Sequence, residues 1–194
     1  MKIALALKSI QINVTFQRKE GRIMEDRGFY IGIDIDDTYA VTSYFSAGMT
    51  EPATVSMVAG SEVFQIPVRI TKKKEPGQWY IGEEAERVAK EQQGIAIDGL
   101  LTKALHQEEL LVEGESYPAE ELLVLFIRKL ISYASGLNRR QELEGMAMSV
   151  EKVTKELSQL FFRIGEKIGI ASEKMKVLDR KSAFYYFTMT WSMI

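Results

Sequence analysis

The sequence predicts an α/β fold, a mixed β-sheet flanked by helices and carrying a small inserted subdomain. Three observations lead there. Between Phe29 and Ile70 short runs alternate apolar and polar residues and are broken by turn residues, as in an antiparallel meander. From Glu83 the hydrophobic period becomes helical. The last third then reads helix, strand, helix, strand, helix, which requires parallel pairing with right-handed crossovers. Joining a meander to such units gives a mixed sheet with helices on its faces.

The elements follow in order. Ile31, Ile33 and Ile35 point to one side of the first strong strand, and Gly32, Asp34 and Asp36 to the other. Asp36-Asp37 suits a tight turn. Tyr39 to Phe45 is rich in β-branched and aromatic residues and forms the second strand. Thr54–Val58 and Val63–Ile70 are further strands, Lys72 to Gly77 is a polar turn, and Trp79–Ile81 is a short strand. Glu83–Gln92 is an exposed helix, and Leu100–Leu105 is a short one in the poorly patterned stretch Gly94–Glu113. Pro118 opens a clear helix, since its missing N–H costs nothing in a first turn, and Leu122, Leu123, Phe126, Leu130 and Ile131 form its buried face. Met146–Val150 is an apolar strand. A helix from about Glu151 carries a three-four stripe of Val153, Leu157, Leu160, Phe161, Ile164 and Ile168 and stops at Gly169. Met175–Leu178 is the last strand, and a helix starts near Ser182.

Residues 1–26 differ from the rest and read as an N-terminal extension. Lys19-Glu20-Gly21-Arg22 just before Met24 is what a purine-rich ribosome-binding site would encode if translated, so the natural start is expected at Met24. The alternative is an extra edge strand over Gln11–Phe16. The domain proper is expected to span 27–194, with the inserted subdomain around 71–116.

Composition excludes several functions. A net charge of -2 lacks the basic face that a general nucleic-acid binder needs. With no cysteine there are no disulfides, thiol catalysis or cysteine-ligated metals. The one histidine, His106, rules out two-histidine sites and reads as a surface residue. No apolar run reaches membrane-span length, and Lys8 closes the N-terminal apolar stretch too early for a signal peptide. The expectation is a cytoplasmic protein without nucleic-acid or membrane partners. The run Lys72–Lys74 reads as a solvated loop. Phe184, Tyr185, Tyr186, Phe187, Trp191 and Met193 read as helix core or lobe interface, and as an association-prone patch if left uncovered.

The sharpest motif is Gly32-Ile33-Asp34-Ile35-Asp36-Asp37-Thr38 at the end of the first strand. Asp34 and Asp36 share a side, so both can reach one Mg²⁺ ion, and turn N–H groups can face a phosphate. The candidate ligand-binding residues are therefore Asp34, Asp36, Asp37, Thr38 and Tyr39, with Asp34 and Asp36 as metal ligands. The competing reading is a polar β-turn of solvated aspartates.

Gly32-Ile33-Asp34-Ile35 with Thr38 resembles the first phosphate loop of the actin-like ATPase superfamily, whose pattern is Gly-Ile-Asp-Leu-Gly-Thr-Thr. Read as Asp34-x-Asp36-x-Thr38, the same residues look like the nucleophile motif of haloacid-dehalogenase-type phosphatases. In that reading Asp34 attacks phosphorus and Asp36 is the acid/base. The hairpin-forming strands that follow favour the first resemblance. Gln65-Ile66-Pro67, Trp79-Tyr80-Ile81-Gly82-Glu83-Glu84-Ala85, Tyr117-Pro118-Ala119-Glu120-Glu121-Leu122, Met146–Val150 and Val177–Ala183 are similar, in order and spacing, to segments of the seventy-kilodalton heat-shock chaperones. The resemblance covers 29 to about 187. It implies a ribonuclease-H-like fold, the first lobe of a nucleotide-binding domain, with ATP and Mg²⁺ as cofactors.

The departures imply a degenerate lobe. Asp36 and Asp37 stand where the phosphate loop has glycine and threonine, and their charge would repel a triphosphate. The family's hydrolytic lysine falls near Glu86, and its catalytic glutamate falls at Arg180. The second phosphate loop and adenosine-binding glycines would lie beyond Ile194. ATP binding is expected to be weak or absent in this chain, and efficient hydrolysis is not expected. The expected role is a regulatory or interaction domain whose partner is a second lobe in a longer protein or a protein client.

Overall fold

A computed structural model describes residues 28–46, 49–56, 61–74, 77–137 and 141–183. The isoleucine alternation forms β1 (Gly28–Ile35), with Phe29, Ile31, Ile33 and Ile35 all buried. The aspartate turn sends the chain back as β2 (Tyr39–Ser46), antiparallel to β1 with Ile33 opposite Thr42. Two short strands, β3 (Ala53–Thr54) and β4 (Ile66–Pro67), both pair with β2. The next elements are β5 (Ile70–Lys73), β6 (Trp79–Ile81), α1 (Glu83–Lys90) and β7 (Gly94–Ile97). Strands β6, β5 and β7 make a separate antiparallel sheet of three. Between β6 and α1, Gly82 has φ 65°. A Cβ there would lie 2.9 Å from Ile66 Cγ2, so both conformation and space require glycine.

Helix α2 (Leu100–Leu105) precedes a hairpin of β8 (Glu109–Val112) and β9 (Glu115–Pro118). Glu113 and Gly114 join its strands at φ 54° and 82°, the two positive angles that a two-residue type I′ turn demands. Helix α3 (Ala119–Leu137) leads to β10 (Glu142–Val150), α4 (Lys155–Ile168) and β11 (Met175–Asp179). Residues 180–183 are helical. The main sheet runs β11-β10-β1-β2-β3, with β4 also on β2. β1 is parallel to β10, with Ile31 beside Met146, and β10 is parallel to β11, with Met148 beside Val177. The fold is thus a mixed sheet with helices packed on it.

The core joins β1 to α3 and α4 through Ile31, Ile33, Leu123, Phe126, Leu160 and Phe161. Charge reinforces the helix pair: Glu120 meets Arg163 at 2.8 Å and Lys167 at 2.6 Å. Thr154 Oγ1 accepts the Leu157 N–H at 3.2 Å to cap α4, and Gly169 ends it at φ 87°. Thr154→Ala should cost about 1 kcal/mol, read as a lower midpoint in urea with an unchanged slope.

Several expectations need correction. The stretch Gly94–Glu113 holds β7 and β8 besides the expected short helix. Pro118 closes β9 and stands just before α3, which begins at Ala119. Helix α4 begins at Lys155 and not near Glu151, because Thr154 is the residue whose side chain caps the first turn. Lys72 and Lys73 belong to β5 and not to a turn. The expected strand Gln11–Phe16, the start at Met24 and the aromatic run Phe184–Phe187 with Trp191 and Met193 lie outside the described residues. Among those described, no helix is long and apolar enough to cross a membrane.

Candidate functional site

The parallel strands β1, β10 and β11 all end on the same edge, and there the predicted motif meets two partners from later in the chain. Register sets this up: Asp34 lies beside Ser149, and Val150 lies beside Asp179. One residue on from the second pair are Glu151 and Arg180. Asp179 fixes the second of these. Its carboxylate accepts the Ser182 N–H at 2.7 Å and the Ser182 hydroxyl at 2.9 Å, capping the turn in which Arg180 is the first helical residue. The Ser182 hydrogen bonds hold the Asp179 carboxyl below its ordinary pKa.

The Arg180 guanidinium lies among three carboxylates. Nε donates to Asp34 Oδ1 at 2.8 Å and Oδ2 at 3.0 Å. One terminal nitrogen donates to Asp36 Oδ2 at 3.0 Å, and the other to Glu151 Oε2 at 3.0 Å. The Asp34 side chain is 12% exposed and Arg180 25%, so their attraction is only partly screened. Burial opposes the guanidinium charge, but Asp34, Asp36 and Glu151 outweigh it and raise the pKa further above its usual value.

Asp36 has a second role. Its Oδ1 accepts the N–H groups of Thr38 at 2.8 Å and Tyr39 at 2.9 Å, so the side chain closes the β1–β2 turn over itself. Burial alone would raise its pKa, but these N–H groups and Arg180 hold it below the ordinary carboxylate value. Asp37 points elsewhere: it accepts the Thr102 N–H at 2.9 Å and the Thr102 hydroxyl, tying the turn to α2. Thr38 contributes its backbone, N–H to Asp36 and carbonyl to the Val68 N–H at 2.9 Å. Tyr39 opens β2 and is 43% exposed.

Asp34 and Asp36 therefore share one partner, and it is Arg180, where Mg²⁺ was expected. Mg²⁺ requires near-octahedral oxygens at about 2.0–2.1 Å. A guanidinium bonded to both aspartates fills that position, and two cations there would repel. The residues as arranged do not fit Mg²⁺. Nor do they present a phosphate cradle, because the Thr38 and Tyr39 N–H groups are directed to Asp36. Among the described residues there is no group of three or more histidines, aspartates or glutamates suited to hold a metal ion.

Glu151 and Arg180 were not among the predicted site residues. The signal for Arg180 was a reversed charge at the position where the family resemblance puts a glutamate. Glu151 gave none, because the helical stripe that follows it absorbs it into the helix. A second cluster also departs from expectation. Lys72, read as solvated, is 7% exposed. Its ammonium donates to Glu115 Oε2 at 2.8 Å and the Tyr117 hydroxyl at 2.7 Å, and lies 4.9 Å from the Tyr117 ring centre. Trp79 meets the Tyr117 ring edge-on at 5.2 Å, so this group fastens the hairpin to the small sheet. His106 is on the surface, 4.0 Å from Glu108.

A protein-family model described as the C-terminal part of a family of unknown function (DUF5716) matches residues 51–192. No curated protein matches the chain. The matched region contains Glu151 and Arg180 and begins after Asp34 and Asp36.

Proposed function

The chain belongs to the family of unknown function DUF5716, of which it carries the C-terminal part, and on that premise we propose that it is a degenerate actin-like lobe, serving as an interaction domain and not as a nucleotide hydrolase. The ribonuclease-H-like part of this reading is supported by sheet order. Three antiparallel strands, β1, β2 and β3, are extended on the other side of β1 by parallel β10 and β11, reached through helices. The partner expected by this reading is a second lobe or a protein client.

The observation that carries the loss of nucleotide chemistry is the Arg180 cluster. In a working site of this kind, carboxylates at the end of β1 face a hydrated metal and turn N–H groups face phosphate. Here Arg180 supplies the cation and Asp36 the anion, from within the chain. Displacing both would cost the interactions they make, and the carboxylates of Asp36 and Asp37 would face the triphosphate's own negative charge.

Isothermal titration with Mg-ATP tests this directly. No heat of binding is expected, nor any rise in melting temperature at millimolar ligand. Micromolar binding that disappears in Asp34→Asn would overturn the proposal. The phosphatase alternative predicts turnover of a generic phosphate ester with added Mg²⁺, lost in Asp34→Ala. Its nucleophile would have to leave Arg180 first, since both Asp34 oxygens accept from Nε, and no turnover is expected.

A further inference from the structure

The region that defines the family match begins at residue 51, yet the central strand of the sheet lies before it. Within 51–192 the main sheet has β3 and β4 on one side and the β10–β11 pair on the other, and none of these pairs across the gap. The gap is filled by β1 and β2. Without them, the edge of β10 from Glu142 to Ser149 would expose unpaired N–H and C=O groups. The helices α3 and α4 would lose Phe29, Ile31, Ile33, Ile35 and Ala40, all buried in the common core.

We infer that the family-matched region is a strand acceptor, with a two-strand slot between β10 and β3/β4 that takes an apolar, alternating β-hairpin, and that residues 28–46 are that hairpin, supplied by the same chain. The two pieces together, not the matched region, are the folding unit. A second, independent observation is where the polar contacts of the site fall. Asp34 and Asp36 come from the hairpin, and Arg180 and Glu151 from the acceptor. Asp37 to Thr102 crosses the same joint, as do the Val55 N–H to Thr42 carbonyl bond at 2.8 Å and the Val68 N–H to Thr38 carbonyl bond at 2.9 Å. The charge cluster thus closes the joint between donor and acceptor.

The test uses the full chain with a specific protease site inserted in the connection between Ser46 and Ala53. After cleavage the two pieces should co-elute at micromolar concentration and keep the circular dichroism of the intact chain. Arg180→Ala in the cleaved protein should weaken their association at least about tenfold, equivalent to about 1.4 kcal/mol. Separation of the pieces under native conditions would overturn the inference. So would an isolated acceptor piece that keeps the intact chain's spectrum and cooperative melt. Hydrogen exchange on the unmodified chain gives a check that needs no insertion. Amides of β1 and β10 should exchange together through the slowest opening, and β1 amides exchanging far faster than those of β10 would also overturn the inference.

Discussion

Phe161→Ala is expected to lower the free energy of unfolding by about 3–5 kcal/mol. Phe161 is fully buried in the middle of α4, within the apolar cluster shared with α3 and the main sheet. Removing its ring deletes the transfer energy of an aromatic side chain. It also leaves a space that the close-packed core around it closes only in part. For a domain of ordinary marginal stability this approaches half of the total. The measurement is a urea titration followed by circular dichroism. Phe161→Leu should recover more than half of the loss, because it restores most of the volume. A loss below about 1 kcal/mol would mean that α4 is not packed on the sheet in solution.

Arg180→Ala should be nearly as damaging, at about 2–4 kcal/mol, for a different reason. The guanidinium gives Asp34 and Asp36 a shared counter-charge. Without it, two carboxylates on the same strand end face one another, and one of them is only 12% exposed. Arg180→Lys should recover only part of the loss, since an ammonium cannot span Asp34, Asp36 and Glu151 in one plane. Arg180→Met combined with Asp34→Leu should be less damaging than Arg180→Ala alone, because no uncompensated charge is left at Asp34. The pH dependence has a defined sign. The Asp36 pKa is lowered in the folded chain, so its contribution is fully present above its unfolded value of about 3.9 and disappears as pH falls through the folded value. Arg180 stays charged throughout that range. Wild type should therefore lose stability in acid below about pH 4, and the Arg180→Ala variant should show a shallower acid limb.

The parts of this architecture set by local periodicity were legible in the sequence. The isoleucine alternation of β1, the three-four stripe of α4 from Leu157 to Ile168 and the stop at Gly169 each encode their own geometry and stand in the structure where the pattern puts them, while Val153 precedes the helix. The β8–β9 hairpin was not legible, because its strands are only four residues long and Leu111 is 77% exposed, so no apolar alternation marks them. Lys72 reads as surface in any local window. Its burial is produced by Glu115 and Tyr117, which lie far along the chain. The site divides the same way. Strand alternation puts Asp34 and Asp36 on one side, from which Mg²⁺ was expected. That Arg180 stands there instead depends on the register of three parallel strands, which no local pattern contains.

The parallel pairing of β1 with β10 also has a consequence for the order in which the protein can be made. During synthesis β1 leaves the ribosome well before its parallel partner β10, from Glu142 to Val150, is translated. In the interval β1 can pair only with β2, so one apolar edge of the nascent sheet waits uncovered while the small sheet and α3 appear. Contacts this distant in sequence slow folding and prolong exposure to aggregation. Refolding from denaturant, where all strands are available at once, should therefore follow a different sequence of events from synthesis. Yield in the cell should respond to translation speed between β2 and β10 more than to the stability of the finished fold.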